Sequence, residues 1–449
     1  MINLAALGGI RSWAPIAECG LSSLFFLLVG ILLFFLPLAL VSAELATTYP
    51  GGIYEWVKEA FGHKWGFLAI WFLWIENVLY YPMILAFIVS TVTFIFDPSL
   101  MGSKIYMFCS ILSVFWSTTL MNLKGFKIST FISSLGAICG TFIPSILIIA
   151  AGCVWFFQGK PLEISFSIRE LVPHLNFSTL SLFAGVIFSL FGIEMSAIHS
   201  SHVENPQRNY PKSILISALF TILFSLAGIL SIAMVIPKSQ IMLSAGALQA
   251  FEFFGKAYGI EYLLPLISLI VSVGALGSMS TWIVGPCLGL ISAANEHDIP
   301  AFLKKTDSKN NPKNLLITQA GLVSVISFLF LFTKTINNAY WIFLILSTQF
   351  YLIMYVFLFA AAIKLRTKHP LQLRPFQIPG KMMGLWAICL LGLAASVLSF
   401  VISFFPPSNV PAEKISAYIV TLLISLLLFS VLPIIYRARS SLAKQRSLN

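Results

Sequence analysis

"FSLFGIEMSAIHSSHVENPQRNYPKS", Phe188 to Ser213, decides how the rest of this 449-residue chain is read. Its first residues belong to an apolar run. Gly192 interrupts that run, and Glu194 follows two positions later. From Glu204 onward the stretch turns polar, with Pro206, Pro211 and Lys212. An ionisable side chain inside a membrane span costs roughly 2.5–3.5 kcal/mol on insertion scales, so a carboxylate there is a functional candidate by default. The weight of Glu194 therefore depends on whether the surrounding chain spans a membrane.

Composition says that it does. Hydrophobic residues make up 58% of the chain, charged residues only 10%, and the mean hydropathy is +0.93. A soluble domain carries roughly 25% charged residues, so much of this surface is expected to face lipid. Apolar runs of about 20 residues recur, the signal of transmembrane helices. They place spans at 21–45, 65–96, 105–121, 130–157, 178–201, 213–236, 262–295, 314–333, 337–363, 383–405 and 415–436. No period-two alternation is present, which argues against a barrel. A helical bundle is then expected, because lipid offers the backbone no other partner.

The net charge of +11 follows from topology rather than from nucleic-acid binding. Of the 27 lysines and arginines, 19 fall in loops on one side of these spans and 7 on the other. That bias puts the richer side, with the basic tail 437–449, in the cytoplasm. The six cysteines (Cys19, Cys109, Cys139, Cys153, Cys287 and Cys389) sit in or beside apolar runs without metal-ligand spacing. They are read as small buried hydrophobes. The first residues lack a basic n-region and a small-residue cleavage site, so insertion is expected to use the spans themselves.

Ahead of the first span lies "MINLAALGGIRSWAPIAECG", residues 1–20, too short and too broken to cross a bilayer. Gly8 and Gly9 free the backbone, Arg11 is charged, and Pro15 suits the first turn of a helix. Trp13 to Cys19 therefore reads as a half-helix preceded by irregular backbone. Such backbone is tolerated at membrane depth only where protein or a watery cavity surrounds it. Two interrupted helices, one opening the chain and one about five spans later, point to an inverted-repeat transporter. In those folds substrate binds near the midplane, at the free ends of broken helices. Half-helix N-termini there offer N–H groups and positive dipole ends to an anion such as an amino acid's carboxylate.

Several stretches resemble the amino acid–polyamine–organocation transporters. "FGIEMSA" at 191–197 looks like the motif of the family's sixth helix, and "YPGGIYEWVKEAFGHKWGF" at 49–67 like the segment after its second. "LSIAMVIPKSQIMLSAGALQAF" at 230–251, "STWIVGPCLGLISAANEHDIPAFL" at 280–303, "ENPQRNYP" at 204–211 and "HPLQLRPFQIPG" at 369–380 resemble one branch, the bacterial glutamate/GABA antiporters. The resemblance implies an all-α membrane protein with a five-plus-five inverted-repeat transporter fold and two extra C-terminal helices. The first repeat would cover 1–157, the inverted second 178–363, and the last two helices 383–436. It implies exchange of one amino acid for a related amino acid or amine by alternating access. Three departures accompany it. The cytoplasmic half of the family's first helix is missing ahead of Met1. The C-terminal plug of the glutamate/GABA exchangers has no counterpart in the short tail. Ser278 stands where those exchangers carry a carboxylate, four residues before Trp282.

These readings name the candidate site. Gly8, Gly9, Gly192 and Ser278 would present backbone or hydroxyl groups to substrate. Arg11 would meet the substrate carboxylate or pair with Glu18, Glu76 or Glu194. Glu194 would hold the unwound helices or couple protonation to transport, and Glu76, mid-span beside Asn77, would line the path. Tyr351 and Tyr355 are four residues apart, hence on one helix face; by resemblance they face the path, and Phe188 and Trp282 match gating aromatics. His199, His202 and Glu204 look like a metal cluster or pH sensor at first glance, but no further ligand has suitable spacing, and a polar helix cap is the better reading.

No cofactor, metal or nucleotide-binding loop is indicated, so transport would be secondary, driven by exchange or by protons. The expected partners are an amino acid, its counter-substrate, protons and membrane lipid. The expected location is a bacterial inner membrane, as monomer or homodimer. A membrane enzyme is disfavoured, because Glu194 and His199 are five residues apart and point to different faces of a regular helix. A truncated relative that no longer transports is the alternative.

Overall fold

The computed structural model describes residues 9–123, 140, 142–173, 176–195, 197, 205–295, 298–307, 311–406 and 415–448. All regular structure among them is helical. A 3-10 turn, Ile10–Ser12, leads into α1, Trp13–Ala17. α2 (Gly20–Thr48), α3 (Ile53–Phe61), α4 (His63–Phe96), α5 (Lys104–Leu123) and α6 (Ile143–Phe157) follow. The second half holds α7 (Phe177–Ser189), α8 (Pro206–Ala233), α9 (Gly246–Tyr258) and α10 (Leu264–Ala293). α11 (Lys313–Phe332), α12 (Ile336–Lys368), α13 (Lys381–Ile402) and α14 (Ile415–Leu448) complete it.

Nine of the described helices are long and apolar enough to cross a membrane: α2, α4, α5, α8 and α10–α14. α6 and α7 are shorter apolar helices at the remaining two expected spans. Much of the expected span 130–157 lies outside the described residues, as do His199, His202 and Glu204. Burial sorts the helices into centre and rim. The apolar windows of α4 and α12 are 89% and 78% buried, those of α5 and α14 only 28%. On α14 the exposed side chains include Leu423, Ile424, Leu427 and Leu428, an apolar outer surface that suits lipid.

Apolar burial does little to hold helices together in lipid, so close packing and polar bonds carry that load. Asn122 of α5 donates to Ser280 Oγ of α10 (3.1 Å), and Gln349 of α12 donates to Ser403 Oγ, just past α13 (2.8 Å). Trp74 of α4 donates to Gln319 of α11 (2.8 Å). Deep between α2 and α12, Glu44 takes two bonds from Arg366, at 2.9 and 2.5 Å, and one from the Ile378 amide at 2.8 Å.

Helix irregularities have local causes. α2 widens to a π-turn over Ile31–Phe35 just before Pro37, which lacks an amide to donate and needs room for its ring. α7 stops at Ser189. Gly192 then takes a left-handed φ of +102°, open to glycine and strained for other residues, and a tight turn carries Ile193 to Met195. α1 seats against α8 because Gly228 leaves a slot for the Trp13 ring: a Cβ at 228 would lie 2.1 Å from it. α9 is a helix that the search for 20-residue apolar runs passed over as loop. It is amphipathic, burying Leu248, Phe251 and Phe254 at helical spacing, and Gly246 at its start packs on Ala14 of α1.

Candidate functional site

The break after α7 delivers Glu194 to α12. Its carboxylate is buried, 3% exposed, and is met by two phenols. Tyr351 donates to Oε1 at 2.7 Å and Tyr355 to Oε2 at 2.9 Å. The Tyr355 oxygen also accepts the Gly192 N–H at 3.0 Å. The two rings stack, 4.8 Å apart and inclined by 13°, as their spacing of four on α12 requires. Phe191 packs edge-on against Tyr351 at 4.8 Å, and Phe34 of α2 does the same to Tyr355 at 5.3 Å. The sequence signals for Gly192, Glu194, Tyr351 and Tyr355 thus converge on one cluster.

Beside that cluster lies a cavity enclosing about 610 Å³ of empty space, its open mouth included. Its polar lining includes Arg11, Glu76, Asn77 and Tyr80, and Trp282, Phe188 and Tyr340 wall it. Tyr351 lines it as well, whereas Glu194 does not and stands behind the tyrosine.

Arg11 reaches this cavity from the 3-10 turn ahead of α1. Its guanidinium donates to Ser278 Oγ of α10 at 3.0 Å and lies 5.7 Å from the centre of the Tyr80 ring. Among the described residues it has no ion pair with a carboxylate, so the expected pairing with Glu18, Glu76 or Glu194 is not found. Glu76 is 4% exposed, and its Oε2 accepts from the Asn77 amide at 2.9 Å. Among the described residues, the Asn77 oxygen is buried without a hydrogen-bond partner.

Phe188 lines the cavity between Tyr80 and Phe191, with ring centres 6.1 and 5.7 Å away. Gly9 is elsewhere: its carbonyl accepts from the Ser12 amide and hydroxyl, both at 2.9 Å, and it borders a smaller neighbouring void with Arg11, Phe87 and Val271. Gly8 lies outside the described residues. Among the described residues no group of His, Cys, Asp and Glu is arranged to hold a metal ion.

Sequence reasoning passed over Tyr80, Asn77 and Tyr340. Signals for them exist. Tyr80 is four residues after Glu76, and Tyr340 and Leu344 precede Tyr351 by eleven and seven, all on shared helix faces. In a chain with 14% aromatic residues, such spacing is too common to single out a site.

A polytopic helical bundle with a mixed-charge cavity at its best-buried helices suits a membrane transporter. Residues 1–430 match the family model described as amino acid permease. The chain is 38% identical over 435 residues to an uncharacterized transporter of Legionella pneumophila, covering 96% of this chain and 94% of that one. It is 31% identical over 434 residues to a glutamate/gamma-aminobutyrate antiporter of Lactococcus lactis, covering 95% and 86%. A probable agmatine/putrescine antiporter of Lactococcus lactis matches at 27% over 374 residues, covering 82% and 78%. The chain belongs to the amino acid permease family, within the amino acid–polyamine–organocation superfamily.

Proposed function

We propose that this chain is a secondary antiporter, exchanging a glutamate-like or other polar amino acid for a related amino acid or amine. One observation carries the reading: Arg11 and Glu76 line the same cavity, and the cation has no carboxylate partner among the described residues. A zwitterion answers both groups. Its carboxylate would take the guanidinium, a rigid donor fork matched to that shape. Its ammonium would take Glu76 and the unpartnered Asn77 oxygen. A half-buried cation held, among the described residues, by a hydroxyl and an aromatic face gains from an anionic ligand, which favours substrates carrying a carboxylate.

In this reading Phe188, Tyr351 and Trp282 cover the bound solute. Glu194 holds the unwound segment after α7 to α12 and, with Glu76, is a candidate for any proton movement. The proposed frame is the inverted repeat of 1–157 and 178–363, lying in a bacterial inner membrane with the basic tail in the cytoplasm, as the charge bias supports. The names of the antiporter relatives from Lactococcus lactis support exchange as the mode.

Counterflow in proteoliposomes tests it. Labelled glutamate, gamma-aminobutyrate or a neutral amino acid should enter only vesicles preloaded with a suitable partner. No counterflow across a panel of amino acids and amines would end this reading and leave a transport-inactive relative.

A further inference from the structure

Trp282, which walls the cavity, sits on α10 four residues before Pro286. That spacing has a consequence. In a continuous α-helix the carbonyl of Trp282 would accept the amide of residue 286, and proline has none. Tyr81 of α4 fills the gap, donating its hydroxyl to the Trp282 carbonyl at 2.8 Å. The next carbonyl, Ile283, is approached by the Gln319 amide of α11 at 3.4 Å. Gln319 is itself fixed by two donors on its oxygen, the Trp74 indole at 2.8 Å and the Cys287 thiol at 3.2 Å. Tyr81, Gln319 and Cys287 are each fully buried.

We propose that Pro286 makes α10 a hinge for Trp282, with Tyr81 and Gln319 as positioning residues that hold it through the backbone. A helix's own hydrogen bond is lost only by unwinding. A bond to a side chain of a neighbouring helix is released by a small shift between helices. The proline break therefore ties the angle of the Trp282-bearing segment to the relative position of α4, α10 and α11. Ser278, which holds Arg11, lies one turn before Trp282 on the same helix. Both would move with that segment. The inference deepens the transport reading for its rate consequence, while the hydrogen-bond hand-over stands without it.

The test is a cycle of three variants: Pro286→Ala, Tyr81→Phe, and both together. Pro286→Ala restores an amide to the Trp282 carbonyl. It should raise the unfolding temperature yet slow counterflow of an amino acid that the wild type exchanges. The expected slowing is about threefold to tenfold, the worth of one interhelical hydrogen bond in a membrane, with the concentration dependence of ligand stabilisation unchanged. Tyr81→Phe should lower the unfolding temperature, and most of that loss should vanish in the Pro286→Ala background. Equal losses in the two backgrounds would overturn the proposal, as would wild-type exchange by Pro286→Ala. Should Tyr81→Phe alone give no folded protein, recovery by the double variant supports the hand-over, and failure to recover overturns it. A wild type without any counterflow would defeat the transport reading, and the unfolding temperatures would still decide the hand-over.

Discussion

Tyr355 and Glu194 are joined through one phenol oxygen that works twice. It donates to the carboxylate at 2.9 Å and accepts the Gly192 amide at 3.0 Å. The tyrosine thereby fixes both the side chain and the backbone of the broken segment to α12. With Tyr351 on the second carboxylate oxygen, both oxygens of Glu194 are held by α12.

That geometry separates shape from charge. Glu194→Ala should abolish exchange, because it leaves two buried phenols without their acceptor and frees the segment after Gly192. Glu194→Gln keeps one acceptor oxygen and should retain measurable exchange if anchoring is its main role. Glu204→Ala, in the polar stretch beyond the break, should be mild. Counterflow rates for the three variants check this, and equal small effects would remove Glu194 from the site.

Ser278 accepts a hydrogen bond from the Arg11 guanidinium through its hydroxyl. Ser278→Asp should pair the guanidinium and weaken binding of carboxylate-bearing substrates by about tenfold or more, the scale of a charge-assisted hydrogen bond. Ser278→Ala should cost them far less. Ligand-induced shifts in unfolding temperature, compared between glutamate and an amine such as putrescine, measure this directly.

The Glu44–Arg366 pair is buried on both sides, 6% and 5% exposed. Arg374 adds a second cation 3.5 Å from the same carboxylate. Removing the carboxylate by Glu44→Met strands both cations and should destabilise the fold by about 3–5 kcal/mol. Replacing all three, with Glu44→Met, Arg366→Met and Arg374→Met, should cost clearly less. Unfolding in detergent, followed by denaturant or heat, distinguishes a stranded charge from a general packing defect.

The Trp13 slot gives a size test. Gly228→Ala drives a methyl into the indole ring, and the short α1 has no turn to spare for relocation. Exchange should fall severely, since α1 positions Arg11. Adding Trp13→Ala makes room and should return part of the activity. Counterflow by the single and double variants is the measurement, and no recovery in the double would place the defect elsewhere.

How much of this was legible beforehand follows the range of each interaction. Helices at the expected spans were readable because hydropathy reports a residue's preference for lipid, which acts locally. The break at Gly192 was readable because glycine punctuates a helix whatever surrounds it. α9 was not, because thirteen residues with one apolar face look like loop to a search for spans. Tyr80 and Asn77 were hidden among many similar aromatic and polar positions.

The amino-acid sequence by itself determined a helical membrane protein and a carboxylate just past a glycine break. Only the tertiary structure decided who meets whom. Arg11 bonds Ser278, 267 residues away, and not a carboxylate. Glu194 is tied up by Tyr351 and Tyr355, while Glu76 lines the cavity. Periodicity encodes which face of a helix avoids lipid, but pairing between faces depends on how distant helices cross, and no local pattern carries that angle.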